Sequence, residues 1–224
     1  MPTAAISAYG VMLKLGDGVP LAAIAVTGGT AATPIVLTTA AHGLATGDVS
    51  TGTVTGVTGL TGANGTWVVE ATDATHLRLR GSVGGGTYSG GGTFTRTSTY
   101  TTIAEMTNVE DAGLQATLVE TTAHDGNGYA SSIPTFLRGN TMRMALNWVP
   151  ANPQHNATTG LTFLLTQRIT RPYLIVWPSH TGVPRPAWYF SAWVTEDRKA
   201  APVAGALTSA VNFEVDGPLI FTAA

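Results

Sequence analysis

Met142-Arg-Met-Ala-Leu-Asn-Trp148 alternates without a break, with Met142, Met144, Leu146 and Trp148 on one side and Arg143, Ala145 and Asn147 on the other. A period of two held over a whole segment belongs to a half-buried β-strand, not to a helix. The same alternation recurs downstream. Trp188, Phe190, Ala192 and Val194 form one stripe, and Val211, Phe213 and Val215 form another against Asn212, Glu214 and Asp216. Near the start, Val11, Leu13 and Leu15 oppose Met12 and Lys14. Tyr173-Leu-Ile-Val-Trp177 is continuously apolar and reads as a strand covered on both faces. Among these strands only one stretch has helical spacing: Leu161, Leu164, Leu165 and Ile169, with Thr158 or Thr159 to cap it and Pro172 to stop it. The pattern predicts an α+β fold, mostly β, with an antiparallel sheet or sandwich and one flanking helix.

Composition divides the chain. Residues 27–99 hold 16 of the 27 glycines and 19 threonines but only three acidic and three basic side chains. The flanks keep 11 of the 12 prolines and four of the five tryptophans. Thr favours strands and Gly supplies tight turns, so 27–99 reads as a small all-β module inserted into a host domain made of 1–26 and 100–224. Within it, Pro34–Thr39, Gly65–Ala71 and His76–Arg80 read as strands. In the third, Leu77 and Leu79 oppose His76, Arg78 and Arg80. Asn64-Gly65 is a turn pair, and the glycine-rich stretch 84–92 reads as a flexible loop. In the host, Thr121–Asn140 reads as a long irregular loop, which in a compact domain is usually functional.

The 224 residues are 44% apolar, enough for a packed core, yet only 11% are charged, where roughly 25% is usual. A surface so poor in charge is either covered by Thr, Ser and Gly or buried against other subunits. A net charge of −2 provides no basic field for nucleic acid. No cysteine is present, which excludes disulfides and thiolate chemistry. No apolar run reaches the roughly 18 residues of a membrane span, and the start lacks a basic-then-apolar leader. Synthesis in the cytoplasm is the expectation.

No active site emerges. His124-Asp125, with Ser131 and Ser132 nearby, is the only adjacent His/Asp pair, but catalytic triads are defined by geometry rather than adjacency, and Gly-x-Ser-x-Gly is missing. The five histidines (42, 76, 124, 155, 180) have no metal-ligand spacing, and the glycine clusters lack the Lys-Ser/Thr of a phosphate loop. Trp148, Trp177 and Trp188 lie in apolar stripes or runs and read as core; Trp193 points with the polar side. The expectation is a non-enzyme with no cofactor and no metal.

The host segments, in order, resemble the major tail tube protein of long-tailed, siphovirus-type bacteriophages. The resemblance rests on Lys14-Leu-Gly-Asp-Gly18, Thr102–Val109, Glu120–Asp125 and Ile133–Gly139, followed by Met142–Trp148 closing on Pro150. The helix comes next, then Trp188–Thr195 and Ala210–Gly217 with Pro202-Val203 between them. The insertion resembles a small β-module of phage virion proteins, in Ala41-His-Gly-Leu-Ala-Thr-Gly-Asp-Val49 and Asn64-Gly-Thr-Trp67. The resemblance implies a β-sandwich whose six copies close into a ring, with rings stacked into a hollow tube in the virion tail. It implies assembly in the host cytoplasm, with a tape measure protein and tail terminator and tip proteins as partners, and DNA passing through unbound. It places inter-subunit and inter-ring contacts at Glu120, His124, Asp125, Tyr129, Ile133, Phe136 and Arg138, and a neutral to acidic lumen at Asn212, Glu214 and Asp216. The insertion then decorates the exterior. The rival reading is a tail-associated adhesin whose Thr/Gly-rich insertion touches a glycan.

Overall fold

The computed structural model describes residues 10–110, 113–120, 132–178 and 185–222, leaving aside the side chains of Leu114, Phe136, Leu137 and Arg138. The chain is α+β and mostly β. Its first strands are β1 (Met12–Gly16), β2 (Ile24–Thr30), β3 (Val36–Thr39), β4 (Val49–Thr55), β5 (Gly65–Ala71), β6 (His76–Leu79), β7 (Thr93–Arg96) and β8 (Tyr100–Thr102). There follow β9 (Met106–Glu110), β10 (Leu114–Glu120), β11 (Ser132–Gly139) and β12 (Thr141–Asn147). The helix α1 (Leu161–Gln167) precedes β13 (Arg171–Val176), β14 (Ala187–Ala200) and β15 (Thr208–Thr222). Two compact units form: Met1–Ile103 with Arg171–Tyr189 and Ile220–Ala224, and Ala104–Thr170 with Phe190–Leu219.

In the first unit, β2-β3-β6-β5-β4-β7 close into an antiparallel barrel. Closure pairs every strand edge, which a short Thr/Gly-rich sheet cannot leave open without inviting aggregation. Leu37, Val54, Leu60, Val69, Leu77, Leu79 and Phe94 fill the interior. The same unit contains the strand order β8-β1-β13, with Leu13 opposite Ile175 and Leu15 opposite Tyr173. All four residues Tyr173–Val176 are buried, as the continuous apolar run predicts. Leu174 and Val176 share a second core with barrel residues Val49 and Val68 and with Ala187, so β13 and the barrel are packed through common side chains.

In the second unit the order is β14-β15-β12-β9, with Met142 opposite Phe213 and Met144 opposite Val211. Of the sequence stripes, Met142, Met144, Leu146, Phe190, Ala192, Val194, Val211, Phe213 and Val215 are buried, whereas Trp148 and Trp188, read as core together with Trp177, are like it only half-buried. The helix carries buried Leu161 and Leu164 and is tied to β14 by Thr162, whose hydroxyl donates to Asp197 Oδ2 at 2.6 Å.

Several expectations are corrected. The helix is capped by neither Thr158 nor Thr159: Gly160 is its N-cap, and Asn156 Oδ1 accepts the backbone N–H groups of Thr158 (2.9 Å), Thr159 (2.8 Å) and Gly160 (3.3 Å). Arg168 in the left-handed region (φ 52°) ends it, and Pro172 falls inside β13. Thr121–Asn140 is not wholly irregular, because Ser132–Gly139 is β11, paired antiparallel with β10; residues 121–131 lie outside the described residues. Arg80, which the alternation sets opposite Leu77 and Leu79, is also hidden from solvent. It is bonded to Glu70 at 3.2 Å and to the Arg185 carbonyl, because an internal charge needs an opposite partner. The stretch 84–92 is packed rather than flexible: Tyr88 donates to the Val26 carbonyl at 2.9 Å, Thr58 bridges to Gly90, and a Cβ on Gly84 would overlap the carbonyls of Ala31 and Ala32.

Candidate assembly surface

The β10–β11 hairpin stands out because it buries so little of what it carries. Leu118 is 61% exposed, Val119 49% and Ile133 55%. Its register sets Leu118 opposite Pro134, Val119 opposite Ile133 and Glu120 opposite Ser132, with a shift between Ala116 and Leu118. Directly opposed residues share a face, so Val119 and Ile133 make one apolar pair. Leu118 and Pro134, one rung along, lie on the other face. Both faces of a two-stranded ribbon thus present apolar side chains to solvent. Such a ribbon is marginal alone and is stabilised when a third strand or another surface covers it.

Of the sequence-derived contact residues, Glu120 and Ile133 sit on adjacent rungs of this ribbon, and Phe136 and Arg138 are backbone positions of β11, Arg138 opposite Gln115. His124, Asp125 and Tyr129 lie outside the described residues. Sequence reasoning missed Leu118 and Val119. Their signal was the strand-forming run Thr117-Leu-Val119, which has no matching buried stripe.

Asn212, Glu214 and Asp216 do share the face of β15 opposite Val211, Phe213 and Val215. Asn212 donates to Glu196 Oε2 at 2.6 Å, and Glu214 accepts the Thr141 hydroxyl at 3.1 Å. Arg143 is directly across from Asn212, and Arg198 pairs with Glu196 at 2.5 Å, so two cations are interleaved with the carboxylates here. Nearby, Asp197 accepts from Ser209 (2.6 Å), Thr162 (2.6 Å) and Lys199 (2.7 Å). Burial pushes the Asp197 carboxyl up, but those three donors outweigh it and hold the group below the ordinary carboxylate range.

Two of the described histidines have structural roles. His155 is buried, its Nδ1 accepting the Val149 N–H at 3.1 Å and its Nε2 donating to the Ala104 carbonyl at 3.1 Å. His76 pairs with Asp73 in an exposed turn. Among the described residues no group of three or more His, Asp or Glu is placed to hold a metal, and no helix is long and apolar enough to cross a membrane. Trp177, Trp188 and Phe221 meet edge to face, with centroids 5.1 Å apart in each pair, so they do not lie as one flat stacking platform.

No protein-family model matches the chain, and no curated protein does. Among solved structures, it is similar to a chain of an anti-feeding prophage baseplate (TM-score 0.44, 11% identity, 56% of this chain and 85% of that one). It is similar to a chain of a native gene transfer agent particle (0.44, 14%, 55% and 89%). A third likeness is to a chain of an extracellular contractile injection system's extended sheath–tube complex (0.41, 15%, 55% and 83%).

Proposed function

We propose that this chain is a structural virion protein of a phage tail, six copies closing into a ring and rings stacking into the tube through which DNA passes to the host. In this reading residues 1–26 and 100–224 are the tube domain and 27–99 an exterior insertion. The carrying observation is the β10–β11 hairpin, whose Leu118, Val119 and Ile133 keep about half or more of their surface exposed in the single chain. A second copy covers that surface, and repetition of one contact around a ring closes it without leaving edges. The low charge fits a surface largely spent on copy-to-copy contacts. Tape measure, terminator and tip proteins would be the other partners. Asn212, Glu214 and Asp216 would line the lumen, repelling DNA phosphates so that nothing holds the genome in transit.

Negative-stain electron microscopy of the concentrated chain tests this. Rings or hollow tubes are expected. A monodisperse monomer that stays single at high concentration, with an unchanged sedimentation coefficient after Val119→Glu and Ile133→Glu, overturns it.

A further inference from the structure

The two long strands β14 and β15 are joined by Ala201-Pro-Val-Ala-Gly-Ala-Leu207, an apolar run with no charged or hydroxyl side chain. Every residue of it is exposed, and Val203 is fully so. The Leu207 carbonyl accepts the Trp148 N–H at 2.8 Å, but among the described residues no backbone hydrogen bond outside the strands reaches 201–206. The last residues of β14, Arg198, Lys199 and Ala200, are exposed as well. Such a loop straightens without giving up a hydrogen bond or a packed side chain, which is what a protease requires of the segment it cuts.

The side chains then select the bond. A serine protease binds its substrate as an added extended strand, through the backbone of the residue before the cut and of the one two places earlier. The N–H of the residue between them is not used, so Pro202, which has none, fits there. Val203 before the cut suits the small specificity pocket of an elastase-type enzyme, and Ala204 after it keeps its N–H. The other exposed valines outside the strands are protected. Val19 is followed by Pro20, whose ring closes on the leaving nitrogen. Val83 is followed by Gly84, which is wedged against the carbonyls of Ala31 and Ala32 and donates to Thr33 Oγ1 at 3.2 Å.

We infer that Val203–Ala204 is a processing site, hydrolysed by serine proteases whose specificity pocket takes a small aliphatic side chain. The Val203 C–N bond breaks; the oxygen of water goes to the new Val203 carboxylate and its two hydrogens to the new Ala204 ammonium. The cut chain stays together, because β15 is paired with β12 from Thr208 to Glu214 and buries Val211, Phe213 and Val215. The assignment is independent of the tail reading.

The test is digestion of the intact chain with a trace of pancreatic elastase, followed by mass spectrometry, amino-terminal sequencing and gel filtration. An amino terminus at Ala204 is expected among the earliest products, with fragment 204–224 eluting alongside the remainder and released only in urea. Val203→Asp alters a side chain that packs against nothing, so it should leave the circular dichroism unchanged and slow this cut about tenfold or more. The inference fails if the chain is consumed by cuts elsewhere before an Ala204 terminus forms. It fails equally if folded Val203→Asp is cut at this bond as fast as the parent chain, or if the cut appears only in urea concentrations that unfold the protein.

Discussion

Gly52 shows how tightly one position can be fixed in a chain with so many glycines. It lies in β4 opposite Trp67 of β5 and Arg96 of β7, and a Cβ there would overlap the buried Phe94 ring and stand 2.9 Å from the Thr95 carbonyl. Alanine normally helps a strand relative to glycine, but here overpacking wins. Gly52→Ala should lower stability by about 1–3 kcal/mol in urea denaturation, whereas Gly85→Ala, with open space around its Cβ, should change it by less than about 0.5 kcal/mol. Asp197 gives a pH prediction at the same scale. Its carboxyl is depressed in the fold, so the unfolded chain takes up the proton first as pH falls. The stabilisation is complete above the unfolded value of roughly 4 and is lost as pH drops through the lower, folded one. Urea midpoints should therefore fall on acidification below about pH 4, and Asp197→Asn should flatten that fall while destabilising the chain at neutral pH by about 1–3 kcal/mol.

At the level of elements, what could be read from sequence was whatever has one dry face. Met142–Leu146, Phe190–Val194 and Val211–Val215 alternate because each strand is buried on one side only, and Leu77 and Leu79 mark β6 for the same reason. The barrel's closure was not legible. β4 is Val-Ser-Thr-Gly-Thr-Val-Thr, with Ser50, Thr51 and Gly52 buried alongside Val49, and β7 has Phe94 as its one apolar residue, so neither shows a period. The burial of Arg80 against Glu70 was not legible either, because burial of an ion pair leaves no trace in hydropathy. The hairpin escaped for the opposite reason: its apolar residues face solvent in the single chain, so they form no stripe that a core would explain. That exposure makes its role testable apart from folding. Val119→Glu with Ile133→Glu removes one solvent-facing cross-strand pair and sets two carboxylates opposite each other, so it should lower stability modestly, by about 1 kcal/mol. In the ring proposed above it would bury two carboxylates at each copy-to-copy contact. Sedimentation velocity should find the double variant monomeric at concentrations where the parent chain associates.

For the whole molecule, the question is whether the Thr/Gly-rich insertion can be removed as a separate body. Composition alone predicts a freestanding module. The core shared by Val49, Val68, Leu174, Val176 and Ala187 argues otherwise, because excising 27–99 strips cover from one face of β13. Re-exposing a buried Leu or Val costs about 1.5–3 kcal/mol, so losing cover on Leu174 and Val176 alone costs some 3–6 kcal/mol. Domains are stable by only about 5–15 kcal/mol in total. The deletion variant should thus be poorly folded or aggregated, and its failure to form tubes would say nothing about which surface builds them. Hydrogen exchange on the intact chain is the cleaner measurement. If barrel and β13 open together, the slowest amides of β5 and β13 should exchange with the same opening free energy. Val68→Ala, which removes two methyls at their common core, should then lower both by the same amount, about 1–3 kcal/mol. Protection lost in β5 while β13 holds would mean that the barrel opens by itself, and truncation would then become a fair test of its role.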